Sequence, residues 1–86
     1  MKTTQTKLKD LLTDSYLKDM AESHIEAWRE RYFRKSKKDI RFDLNVNHDN
    51  SLEIERVEED LERELTDKER ATVENKFINA VVKHIY

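Results

Sequence analysis

Along the chain, hydrophobic positions recur with a helical period at both ends and alternate in the middle. Leu8, Leu11 and Leu12 share one face of a first helix predicted over Thr4 to Leu12. A second helix is predicted from about Ser15 to Lys35. Its stripe is Leu17, Met20, Ala21, Ile25, Trp28 and Tyr32, with His24 on the same face. The two stripes lie almost opposite each other. A single straight helix would aim its halves at different cores, so a break is predicted at Thr13-Asp14-Ser15, among residues that cap helices well.

In the third segment the period becomes two. Ile40, Phe42, Leu44 and Val46 alternate with Arg41, Asp43 and Asn45, and Leu52 and Ile54 follow a polar run. The pattern reads as a β-hairpin. Facing Val46 with Leu52 and Leu44 with Ile54 requires the loop His48-Asp49-Asn50, with Asn50 left-handed. This register also opposes Asp43 and Glu55, an unfavourable like-charge pair. Val57, Leu61 and Leu65 then suggest a short helix or turn. Thr66-Asp67-Lys68-Glu69 matches a capping box and starts a last helix, with Val73, Phe77, Ile78, Ala80, Val81, Val82 and Ile85 on its stripe. The expected fold is α+β, in the order ααββαα, over one domain at 1–86. An antiparallel β-hairpin would be covered on one face by the two long helices. Loose ends are expected only at Met1 to Thr3 and around Ser36-Lys37-Lys38. A chain of 86 residues buries only about two-thirds of its extended surface, so a homodimer is expected as well.

Composition narrows the chemistry. The chain has no Gly, Pro or Cys. Disulfides, Cys-bearing zinc sites and cysteine nucleophiles are excluded, and so are the glycine-rich loops that cradle phosphate. No apolar run is long enough for a leader or a membrane span, which points to the cytoplasm and to no membrane partner. Asp43, Asn45, Asn47, Asp49 and Ser51 imitate the alternating oxygens of a calcium loop. His48 replaces its glycine, however, and Ile54 its closing glutamate. His24, His48 and His84 have no metal-ligand spacing. His24 is read as a hydrogen-bonded core or interface residue, His48 as a loop tip, and His84 as a cation at a helix C-terminus. No serine adjoins a base. The chain is expected to be non-enzymatic, without metal or cofactor.

The informative feature is charge separation. Residues 1–41 carry eleven Lys/Arg and seven Asp/Glu, a net of +4; residues 42–86 carry six and twelve, a net of −6. Arg34, Lys35, Lys37, Lys38 and Arg41 lie in a basic segment at 29–41. Phe33 is the one aromatic there that falls off the apolar stripe. Glu53, Glu55, Glu58, Glu59, Asp60 and Glu62 form an acidic run. On the hairpin reading, Glu53 and Glu55 share a strand face about 7 Å apart. Glu58 and Glu62 share a helix face about 6 Å apart, spacings like those between phosphates.

In size, charge density and lack of catalytic signature, the chain is similar to small bacteriophage early proteins that bind and inhibit host factors. The resemblance implies an inhibitor working in the host cytoplasm. The expected function is therefore a small interaction protein whose acidic surface occupies the nucleic-acid-binding surface of a basic protein, as a DNA mimic. The alternative is a nucleic-acid-binding regulator that uses the basic segment. A third reading joins the basic and acidic patches of two copies.

Overall fold

The computed structural model describes residues 7–85. Among them are five α-helices and no strand: α1 (Leu8–Leu11), α2 (Asp14–Arg31), α3 (Lys37–Asn47), α4 (Ser51–Leu61) and α5 (Asp67–His84). The fold is all-α, not α+β, and the predicted hairpin over 40–54 is replaced by α3, a short turn and the start of α4. The start of the first predicted helix, Thr4 to Thr6, and the loose end at Met1 to Thr3 lie outside the described residues.

The starts of α2, α3, α4 and α5 each have a local cause. Thr13 Oγ1 accepts from the Tyr16 amide at 3.2 Å, which makes the break predicted there. Ser36 Oγ accepts from the Asp39 amide at 3.1 Å and starts α3, where a loose junction was expected. Asp49 Oδ1 takes the Ser51 amide at 3.0 Å and the Ser51 hydroxyl at 2.6 Å, holding the first turn of α4. At α5 the capping box is complete. Thr66 Oγ1 accepts from the Glu69 amide at 3.2 Å, and the Glu69 carboxylate accepts from the Thr66 amide at 3.0 Å.

The hairpin prediction fails because its pattern has two foldings. Positions 40, 42, 44 and 46 alternate in a strand, but they are also two i, i+4 pairs on opposite sides of a helix. With Ser36 as a cap, the helix is taken. Ile40 and Leu44 become fully buried, while Phe42 and Val46 are left 70% and 62% exposed. The like-charge conflict disappears with the strand, since Asp43 accepts the Tyr32 hydroxyl and lies 3.8 Å from Arg31. Asn50 is not left-handed (φ −88°). The left-handed residues are Arg34 (φ 68°) and Glu62 (φ 60°), in the α2–α3 and α4–α5 connections. In a chain without glycine each carries the steric cost of its Cβ, about 1–2 kcal/mol.

α5 is the helix against which α2, α3 and α4 all pack. Its buried residues, Val73, Phe77, Ile78, Ala80, Val81 and Val82, cover more than one stripe. α2 contributes Leu17, Met20, Ala21, Ile25 and Trp28, and α4 contributes Ile54, Val57 and Leu61. Val57 and Leu61 therefore belong to α4 rather than to a separate short helix, and Leu65 is buried in the connection that follows. At the far end of α5, Arg29 donates to the Ile85 and His84 carbonyls at 2.8 and 3.3 Å. It satisfies oxygens that a helix end leaves without intrahelical partners.

Candidate functional site

α4 divides the acidic run between its two ends. Glu53, in its first turn, heads the i, i+4 row Glu53, Val57, Leu61 and points inward. It is 4% exposed. Its Oε2 lies 3.1 Å from His24 Nε2 and its Oε1 3.0 Å from His48 Nε2. A carboxylate can only accept, so both imidazoles donate through Nε2–H. Aromatic rings enclose the three groups. His24 stacks on Trp28 at 4.6 Å between centroids, His48 lies nearly parallel to Phe77 at 5.8 Å, and Trp28 meets His48 edge-on at 5.0 Å. The arrangement ties α2, the end of α3, α4 and α5 together at one point. Among the described residues, no group of three or more His, Cys, Asp or Glu is placed to hold a metal ion.

His24 is thus a hydrogen-bonded residue at the core's edge, as its stripe position predicts. His48 is no loop tip; it is the half-buried C-cap of α3. Glu53 belongs to the interior, so it drops out of the acidic surface expected from the hairpin. In a helix, Glu53 and Glu55 are about 200° apart, one inside and one outside.

The remaining acids lie further along α4. Glu55, Glu59 and Glu62 share its outward face at spacings of four and three residues, and all are exposed. Glu58 is half-buried. Its Oε2 accepts from the Leu65 amide at 2.8 Å and lies 3.7 Å from Arg70. Asp60 accepts the Tyr16 hydroxyl at 2.6 Å. Burial, then the bond to Asp60, pushes the Tyr16 phenol above its ordinary range. The last turn of α4 contains no basic residue. Below it, Arg63 forks onto Glu69 at 2.9 and 2.8 Å. That fork, reinforced by the Thr66 amide, holds the Glu69 carboxyl down to about 2.

A cleft of about 280 Å³ opens beside the first turn of α4, lined by Asn50, Ser51, Glu55, Glu58, Arg70 and Glu74 among others. Asn50 Oδ1 is buried there without a hydrogen-bond partner, at a desolvation cost of about 1–3 kcal/mol.

The basic segment is also divided. Trp28 and Tyr32 are buried, as their stripe predicts, and Phe33 is 67% exposed. Burial and a bond to Asp43 raise the Tyr32 phenol to about 12. Arg41 donates to Asn79 Oδ1 at 3.1 Å, and the Arg34 guanidinium lies 5.4 Å from the Phe33 ring centroid. Lys35, Lys37 and Lys38 are exposed, with Lys37 and Lys38 in the first turn of α3.

The serine hydroxyls bonded in this region serve backbone and caps. Ser23 donates to the Met20 carbonyl and Ser51 to Asp49. Among the described residues, no helix is long and apolar enough to cross a membrane. No protein family model, no curated protein and no solved structure matches this chain.

Proposed function

We propose that the chain is a non-enzymatic interaction protein of the cytoplasm. The outward face of α4, with Glu55, Glu59 and Glu62, would dock on the basic nucleic-acid-binding surface of another protein. One observation carries this reading. Glu59, in the last turn of α4, and Glu62, at its C-cap, lie where the helix dipole disfavours negative charge, and that turn contains no basic residue. Capping would explain acids at a helix start; it does not explain these. Stability alone would favour Lys or Arg at these positions, so the acids fit a role outside the fold. Glu55 and Glu59, one turn and about 6 Å apart, offer a row of charge like that of a nucleic-acid backbone.

The test is the triple variant Glu55→Lys, Glu59→Lys, Glu62→Lys. It should keep its helical circular dichroism and lose a captured basic partner, and duplex DNA should displace the wild-type protein from that partner. Retained binding by the triple variant would sink the proposal. A second reading is direct nucleic-acid binding by Arg34, Lys35, Lys37, Lys38 and Arg41. It is favoured by Lys37 and Lys38 lying where a helix start prefers anions, close in sequence to the exposed Phe33. A mobility shift with duplex DNA that weakens steeply with salt would select it instead.

A further inference from the structure

We propose that the cleft beside the first turn of α4 receives an arginine side chain of the basic partner. The inference rests on the acidic-face reading above and adds to it a residue outside α4, Glu74. Asn50 is the starting observation. It occupies the N-cap of α4, where an asparagine ordinarily caps the helix through its side chain. It makes no such bond. Asp49 takes the Ser51 amide instead, at 3.0 Å. Asn50 lies with Ile54 among the buried residues of the cleft lining and is 9% exposed. Its Oδ1 has no hydrogen-bond partner. A buried acceptor with no protein donor, set in the wall of a cleft, calls for a donor from outside the chain.

The charges of the lining fix the kind of donor. Asp49, Glu55, Glu58 and Glu74 face a single cation, Arg70, which leaves a net charge of −3. Asp49 is committed to Ser51, where it also answers the positive end of the α4 dipole. Glu58 is committed to the Leu65 amide and lies 3.7 Å from Arg70. Glu55 and Glu74 pair with no described residue. Their carboxylates and the Asn50 oxygen therefore remain as acceptors, on α4, on α5 and in the turn before α4. A guanidinium suits this set. Its flat fork carries five donors that can serve several oxygens at once, and it is more weakly hydrated than an ammonium. The volume of about 280 Å³ is below that of an ordinary small-molecule pocket and accommodates one long side chain.

The probe is N-acetyl-arginine amide, titrated into the isotope-labelled protein and followed by NMR. Saturable shifts should appear at Asn50, Glu55 and Glu74, with a Kd on the order of 1 mM, as expected of a single side chain. The neutral citrulline analogue should not bind, and the lysine analogue should bind about tenfold more weakly. Asn50→Leu, of similar shape, should weaken the arginine probe about tenfold without lowering the thermal midpoint, a combination that a structural role for Asn50 would not give. Glu74→Lys should abolish probe binding with unchanged circular dichroism, and should weaken capture of the basic partner. The double variant Glu59→Lys, Glu62→Lys leaves the cleft intact, so it should keep the probe while losing the partner. No saturable shift, equal binding of either analogue, or wild-type probe affinity in Asn50→Leu and Glu74→Lys would each overturn the proposal. A partner lost with Glu59→Lys, Glu62→Lys but kept in full by Glu74→Lys would overturn the cleft and leave the acidic face standing. A partner kept by the triple α4 variant, with the probe still bound by the wild type, would overturn the face and leave the cleft standing.

Discussion

Glu53 and the pair Glu59 and Glu62 sit at opposite ends of the same helix, α4. Glu53 is in the first turn, where the dipole favours a carboxylate, and it is closed in by two imidazoles and the aromatic rings around them. Glu59 is in the last turn and Glu62 caps it, both exposed, with the dipole against them. The residue type is the same and its consequences are opposite. At the inner end a charge holds three helices to α5, and its removal would loosen the fold. At the outer end the charges weaken the helix that carries them, and their removal would tighten it. Acidic residues that cost stability are the ones to examine for function.

The largest test of this contrast is Glu53→Ala, which leaves His24 and His48 facing an apolar gap. It should cost about 3 kcal/mol, measured as a fall in the urea midpoint. Glu53→Gln should cost less, since the amide oxygen still accepts from one imidazole. A loss for Glu53→Ala no greater than that of an ordinary surface substitution would erase the distinction between the two ends.

A smaller effect of opposite sign is expected at the outer end. The double variant Glu59→Lys, Glu62→Lys should raise stability by about 1 kcal/mol, seen as a higher thermal midpoint. A fall in stability there would show that these acids hold structure, and the functional reading of the stripe would lose its support.

The subtlest test uses acid at the connection that follows α4. The Glu69 carboxyl is held at about 2 in the folded protein, against 4.5 ordinarily. A depressed folded value means that the stabilisation is complete above the ordinary range and is lost as pH falls from about 4.5 toward 2. The Arg63 fork is its largest single cause, ahead of the Thr66 amide. Stability followed through this window should therefore fall less steeply in Glu69→Gln than in the wild type. Asp43 and Asp49, also held low by hydrogen bonds, contribute in the same direction and remain in both proteins.

α2 and α5 were legible in the sequence because their stripes run through several turns, and α5 starts on a recognisable capping box at Thr66. At α2 the break was placed correctly, but Asp14 and Ser15 were read as the capping residues and the cap is Thr13. α3 was not legible. Its four alternating apolar residues fit a strand fully and a helix by halves, and the half that a helix leaves outside, Phe42 and Val46, is what made the strand look better. That single choice of period propagated into the site. It placed Glu53 beside Glu55 on a solvent face, and it made His48 the tip of a turn. Read at helical spacing, Glu53 four residues before Val57 and eight before Leu61 marks an acid aligned with the core, which is the available signal for the His24–Glu53–His48 cluster. The charge separation itself was plain in the sequence. Which of those charges were already engaged depended on contacts such as Tyr16 to Asp60 and Arg41 to Asn79, between residues far apart in the chain.

That α2, α3 and α4 all pack on α5 also bears on how the protein is made. α5 is the last of the described helices to be synthesised, and at about 5–20 residues per second it follows the end of α2 by seconds. Until it arrives, Trp28, Ile40 and Val57 have no common surface to cover, and the nascent chain carries three amphipathic helices without a core. Its 42% charged residues then keep that intermediate apart from its neighbours on the same message. Completion of α5 should convert the chain to its folded form in one late, cooperative step.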